Sequence, residues 1–466
     1  MGGADNLPEE EEDEGSFFAP VSTGKYLWSA NPESGRVALI DVEELSVRVL
    51  SAGLFPTFLA AIPGAEPASV VLNVGSSTAT RFRVAGDDVL VDAAPTHVGA
   101  NRWVTSKNWA IAYSVREPGT QADPTEGFQE LTLLRLQDEM SSTRLTVGYR
   151  PSLLQISADE KRLAVVSEEG ITLISLTSTP QATQWIDLGL DAEKRDVSLS
   201  GDGSYAVVRR SDEAEIEVID LDHPDDRRQV TFDAHVTDLD LSAQGRGVAV
   251  VRERNQLATF LLDDLLKDAS DFDTVTIEGQ LFGSAALTKD GSTAVLYTNA
   301  TPHDLINIVD LSPGDGYLTH RTVNTQAPVY SVASSPDGEH AIVLSADDEN
   351  RRGSAFSAVA LRSERFPRIV GAQQSVSQVA LANDFGIMTA TGSGSTHEAF
   401  LVSFPSLSVS RTELSAAPLS VGVLPDVGVA FVAQEHAEGR VTFFEAEGEQ
   451  AQTLTGFELS AEVVDR

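Results

Sequence analysis

The chain alternates small apolar and polar residues in short runs, and one phrase keeps returning. VSLSGDGSYAVVRRSDEAEIEVID, Val197 to Asp220, alternates, turns at Gly-Asp-Gly, alternates again, breaks at an acidic loop and alternates a third time. SVASSPDGEHAIVL from Ser331, AALTKDGSTAVLY from Ala285, LDLSAQGRGVAVV from Leu239 and QISADEKRLAVV from Gln155 repeat its first half. Period-two alternation predicts strands with one face buried, and the Gly/Asp/Asn breaks predict tight turns between them.

Anchoring each repeat at the turn between its first two strands gives Gly24, Gly64, Asn108, Glu160, Gly203, Gly245, Gly291, Gly338, Phe385 and Val427. Ten repeats follow, spaced about 45 residues apart, the length of a four-stranded propeller blade. A third, apolar strand follows each turn (RVALIDV, TATRFRV, ELTLLRL and their counterparts), and a more polar fourth strand such as SVRVLSA or RQVTFD closes the unit. The expected fold is all-β: a β-propeller of four-stranded antiparallel blades with ten sequence repeats, in one ring, with two five-bladed rings as the alternative. A lone blade leaves both faces exposed, so every blade must repeat the same packing surface for its neighbours. Residues 16–466 form this domain and 1–15 an acidic tether without fixed structure, because six of the seven positions from Glu9 to Gly15 are acidic. The innermost strand of the first repeat is expected from SFFAP or from the C-terminal SAEVVDR.

KYLWSANPESGRVALIDVEELSVRVL, Lys25 to Leu50, resembles the YVTN repeat of bacterial surface and lactonase-like propellers, and SPDGEHAIV, Ser335 to Val343, resembles the TolB-type repeat. The likeness runs from about Ser16 to the end and implies a propeller fold. It also implies a bacterial envelope setting and, as an alternative function, a hydrolase sited in a central funnel. No motif here carries that family's functional residues, so none is assigned. Kelch double glycines, the WD dipeptide pattern and Asp-boxes are absent from the sequence.

Charge narrows the function classes. Seventy acidic against 33 basic residues leave a formal charge of −37, which argues against a nucleic-acid partner, since phosphate neutralisation needs clustered Lys and Arg. There is no cysteine, so disulfides and thiolate chemistry are excluded. No apolar run reaches the roughly 18 residues that span a bilayer. MGGADN followed by EEEEDEG resembles the start of a processed lipoprotein with Met in place of the lipidated Cys. That resemblance places the protein outside the cytoplasm, in the periplasm or at the cell surface, with a possible lipid anchor ahead of this sequence. A cytoplasmic protein with an acidic tail is the alternative.

The eight histidines show no metal-ligand spacing, and no GxSxG elbow or phosphate-cradling Gly-rich loop occurs. DLDHPDD, Asp220 to Asp226, and DDEN, Asp347 to Asn350, offer carboxylates for calcium but follow no EF-hand pattern and read as solvated loops. No metal or other cofactor is expected, and the funnel-sited hydrolase stays the alternative to a non-catalytic role.

The loops that lead into each first strand carry His97, Arg150, Lys194, Arg195 and His235 in repeats three to six, and Phe282, Pro328, Val376 and Pro418 in repeats seven to ten. A rim half basic and half apolar predicts a partner-binding face, for an acidic or amphipathic protein. The insertion Val115 to Phe128 reads equally as a contact loop or a flexible excursion. A glycan-binding propeller would need exposed aromatic platforms, and Trp103 and Trp109 are expected to pack between blades instead. The sequence thus predicts a monomeric, non-catalytic protein-binding scaffold of the cell envelope.

Overall fold

The computed structural model describes residues 20–116, 128–137, 139–178, 181–189, 192–312, 317–345, 355–372, 374–391, 396–436, 438–448, 451–457 and 462–464. The acidic segment 1–15, most of the 115–128 insertion and Asp347–Asn350 lie outside these. The fold is a single all-β propeller of ten four-stranded antiparallel blades, each a sheet in simple sequence order. The blades span Val21–Ser51, Pro56–Pro95, Arg102–Thr146, Leu153–Asp187, Arg195–Thr231, Asp238–Thr276, Ser284–Asn324, Val329–Gly371, Ser375–Leu414 and Pro418–Thr455.

Each strand's composition follows from its place in the blade. Second and third strands, such as Trp109–Tyr113 and Ala355–Ala360, are buried on both faces and read as continuous apolar runs. Fourth strands, such as Ser408–Leu414, alternate exposed and half-buried positions, since one face meets water. First strands are sheet edges with one side unpaired. Side chains of the neighbouring blade cap those edges. Asp238 and Asp240 on blade 6 accept the backbone N–H of Ala285 and Leu287 on blade 7 at 2.7 and 2.8 Å, and the Thr237 hydroxyl donates to Gly283 O. Likewise Thr105 donates to Ala61 O, the Trp103 indole to Phe58 O, and Ser22 to Val423 O.

Two compact units divide the blades: Asp191–Leu414 holds blades 5 to 9, and Gly15–Leu190 with Ser415–Arg466 holds blades 1 to 4 and 10. Within each, apolar clusters fill the spaces between consecutive blades. Trp103 packs between blades 2 and 3 and Trp109 between blades 3 and 4, as the sequence predicts. One short helix, Leu262–Lys267, breaks the all-strand pattern of blade 6. It buries Leu262 and Leu265 in a cluster with Phe232 and Val236.

The first blade departs from expectation. Its innermost strand is Val21–Thr23, which follows SFFAP, and the C-terminal strand Glu462–Val464 joins the same sheet at its outer edge, parallel to Ser46–Ser51. The latch between the chain's ends is therefore on the outer edge of blade 1.

Candidate functional site

The two ends of a blade are built by different loops. Lead-in loops and second-to-third-strand loops share one end; first-to-second turns and third-to-fourth loops share the other. All the rim residues predicted from sequence belong to the lead-in end, but they do not share one fate. His97 is 1% exposed and Phe282 is 0% exposed, so neither offers a surface to a partner. Phe282 fills the cluster between blades 6 and 7, and Val376 is interior too. Pro328 and Pro418 are half-buried. Arg150 pairs with Glu168 at 2.8 Å and lies over the Tyr149 ring, and His235 Nδ1 meets Glu253 at 3.2 Å. Lys194 is exposed at the end of a single 3-10 turn, and Arg195 beside it is half-buried.

His97 has a structural role that the sequence did not reveal. Its backbone N–H and its Nδ1 both meet Thr132 Oγ1 at 2.9 Å, and its Nε2 meets Ser114 Oγ at 3.0 Å. Burial pulls its pKa below the ordinary histidine value and keeps the ring neutral. Similar locks recur in this unit, joining the lead-in loop, the end of the second strand and the third residue of the third strand. In blade 2 Gly53 N–H donates to Asn73 Oδ1, whose Nδ2 donates to Thr80. In blade 10 Ala416 N–H donates to Gln434 Oε1, whose Nε2 donates to Thr442.

The lock in blade 2 holds an apolar loop in water. Leu54 is 63% and Phe55 55% exposed, and Val74 on the facing turn is exposed as well. Two backbone bonds, Val74 N–H to Phe55 O and Gly75 N–H to Leu54 O, tie loop to turn at 3.0 Å each. The Thr57 hydroxyl donates to Phe55 O, and Leu54 N–H donates to Ser76 Oγ. Phe55 sits at φ 52°, a left-handed conformation that costs a bulky residue on the order of 1–2 kcal/mol. Its ring lies on Gly75, where an added Cβ would stand 2.6 Å from Phe55 Cδ2. Despite this strain Phe55 remains 55% exposed. Val98, Leu153 and Leu419 are further exposed apolar residues at the lead-in end of blades 3, 4 and 10.

In the other unit a different fastening repeats at the opposite end of three blades. Ser200–Asp202–Gly203, Thr288–Asp290–Gly291 and Ser335–Asp337–Gly338 each place a hydroxyl on the aspartate two residues on, at 2.6, 2.7 and 2.5 Å. The glycine takes φ 70° in all three, which favours glycine there. Burial opposes the charge of Asp202 and Asp290, yet these hydrogen bonds hold both carboxyls below the ordinary range. On the same end Asp220, His223 and Asp226 bring ligand atoms within 4.8 Å of one another. Asp220 already spends Oδ1 on the N–H groups of Asp222 and His223 and Oδ2 on the His223 ring, so the loop is a capped turn.

No family model and no curated protein matches the chain. Solved structures do resemble it. A eukaryotic initiation factor is 9% identical, with 93% of this chain and 97% of that one covered at a TM-score of 0.53. AztD from Citrobacter koseri is 12% identical over 77% of this chain and 94% of its own, at 0.43. The dihydro-heme d1 dehydrogenase NirN is 14% identical over 73% and 75%, at 0.45. At 9% identity the likeness to the initiation factor shows the fold alone.

Proposed function

We propose that the protein is a non-catalytic binding scaffold that presents the lead-in end of blades 1 to 4 and 10 to a protein partner. One observation carries this reading: Leu54 and Phe55 stand more than half in solvent on a loop hydrogen-bonded to Asn73 and to the facing turn, with Phe55 in a left-handed conformation. Exposed apolar side chains on a fixed scaffold are what the centre of a protein interface needs, and a preorganised loop loses little entropy on binding. The partner carries an apolar recess for Phe55 and a basic rim, matching a chain of net charge −37. An extracytoplasmic setting fits a cysteine-free, strongly acidic chain. The test is a photo-crosslinking side chain placed at position 55 and, as a control, at exposed Glu213 at the lead-in end of blade 5. A discrete adduct from position 55, absent from 213 and weakened by salt, is the expected result. Equal labelling from both positions would overturn it.

A further inference from the structure

Trp185, on the fourth strand of blade 4, is 46% exposed, whereas Trp28, Trp103 and Trp109 are all buried. Strand register sets it opposite Thr172, and gives the matching positions of blades 2, 3, 5, 7 and 10 to Ala93, Arg144, Gln229, Thr322 and Thr453. The blade plan therefore does not ask for an indole here. The ring is seated on two glycines at the lead-in end. A Cβ added at Gly170 would stand 2.9 Å from Trp185 Cζ2, and one at Gly148 would stand 3.2 Å from Cζ3, so a side chain at either position would crowd the ring. Gly148 N–H in turn reaches Thr172 Oγ1 at 3.5 Å.

The charges beside this seat are mostly negative. Glu169, exposed and next to Gly170, accepts the Tyr149 N–H on Oε2 at 3.4 Å. Asp187, also exposed, lies opposite Gly170 in the ladder and two residues on from Trp185, so it shares the indole's face of the strand. Glu168 is offset by Arg150, whose guanidinium lies over the Tyr149 ring. Glu169 and Asp187 thus leave the surroundings of the ring net negative. Tryptophan offers the strongest aromatic face to a cation, and a planar guanidinium can lie flat on it while its N–H groups donate to carboxylates at the edge. We propose that Trp185 seats an arginine side chain of the protein partner, stacked on the indole and facing Glu169 and Asp187. The site rests on the scaffold reading and deepens it: it belongs to the same unit and the same blade end as Leu54 and Phe55, and gives the partner's basic rim one place to land.

The test is fluorine NMR on the full chain made with fluorotryptophan, which gives one signal for each of the four tryptophans. The Trp185 signal is assigned by its loss in Trp185→Phe. The probe is N-acetylargininamide at up to about 50 mM, where millimolar affinities register, beside its uncharged isostere N-acetylcitrullinamide. The arginine probe should move the Trp185 signal alone, and the citrulline probe should bind at least about fivefold more weakly. Glu169→Gln with Asp187→Asn, both exposed positions, should leave folding intact and weaken the arginine probe about threefold or more. Equal response to the two probes, no response at Trp185, or an unchanged affinity in the double variant overturns the proposal. An adduct from position 55 without an arginine response would sink this site and leave the scaffold standing, and an arginine response without that adduct would do the reverse.

Discussion

The two five-blade units follow one blade plan and repeat different local fastenings of it, a lead-in lock in one and a hydroxyl–aspartate turn in the other. In blades 2, 3 and 10 the lead-in loop is locked to the second and third strands through Asn73, His97 with Ser114, and Gln434. Blade 8 places Ser345 and Ser357 at the matching register, and neither buried hydroxyl has a hydrogen-bond partner among the described residues. Blades 5, 7 and 8 fasten the turn end instead, through Ser200, Thr288 and Ser335 on their aspartates. Exposed apolar residues follow the fastening. Leu54, Phe55, Val74 and Val98 stand at the locked lead-in end of one unit, and Tyr317 and Phe366 stand at the turn end of the other. Repetition sets the packing; the local fastenings differ between the units. Blade 4 adds a Ser157–Asp159 turn to the unit that otherwise locks its lead-in loops.

The largest effect should come from the lock itself. Asn73→Ala removes the partner of the half-buried Gly53 N–H and of the buried Thr80 hydroxyl and should cost about 2–3 kcal/mol in denaturant unfolding. It should also speed amide exchange at Gly53, Val74 and Gly75. A loss below about 1 kcal/mol would remove the contrast between the units.

Asp337→Ala should cost less, about 1–2 kcal/mol, because its turn is partly exposed and water replaces some of the lost bonds. An equal or larger cost than Asn73→Ala would mean that the turn end, and not the lock, is the stronger fastening.

Acid should act on both units in two windows. His97 and His340 have pKa values lowered by burial, so the unfolded chain binds more protons. Their contribution is complete above the ordinary value of 6.5 and falls as pH drops below it. His97→Asn with His340→Asn should flatten the stability profile below 6.5. Asp159, held down to about 2 chiefly by Lys161, contributes fully above 3.8 and loses that as pH falls through about 2. Asp159 is almost fully exposed, so solvent screening keeps this second step small.

Much of the fold was legible because its signals are local. Turn residues such as Gly203 and Gly338 and the period-two runs beside them mark strand pairs without knowledge of the partner blade. The proposed binding surface was not. His97 looked like a rim residue because a loop histidine in sequence says nothing of Thr132, 35 residues on, that closes over it. Phe282 stands at a matching loop position, yet its side chain turns into the space between blades 6 and 7. Only one cue pointed to the proposed surface: Leu54 and Phe55 between Gly53 and Pro56, two large apolar residues in a loop where polar ones belong. The edge-capping role of Asp238 and Asp240 was likewise unreadable, since it depends on which N–H groups blade 7 leaves unpaired.

Phe55→Gly tests the central claim most directly, with unfolding free energy and adduct formation read on the same preparation. For the adduct readout the photo-reactive group moves to position 54. Glycine removes the left-handed strain but adds chain entropy to the unfolded state, so stability should stay within about 1 kcal/mol of the wild type or rise. Crosslinking to the partner from position 54 should fall at least about tenfold. A variant that loses stability well beyond that margin while keeping the adduct would show that Phe55 serves the fold and not a partner.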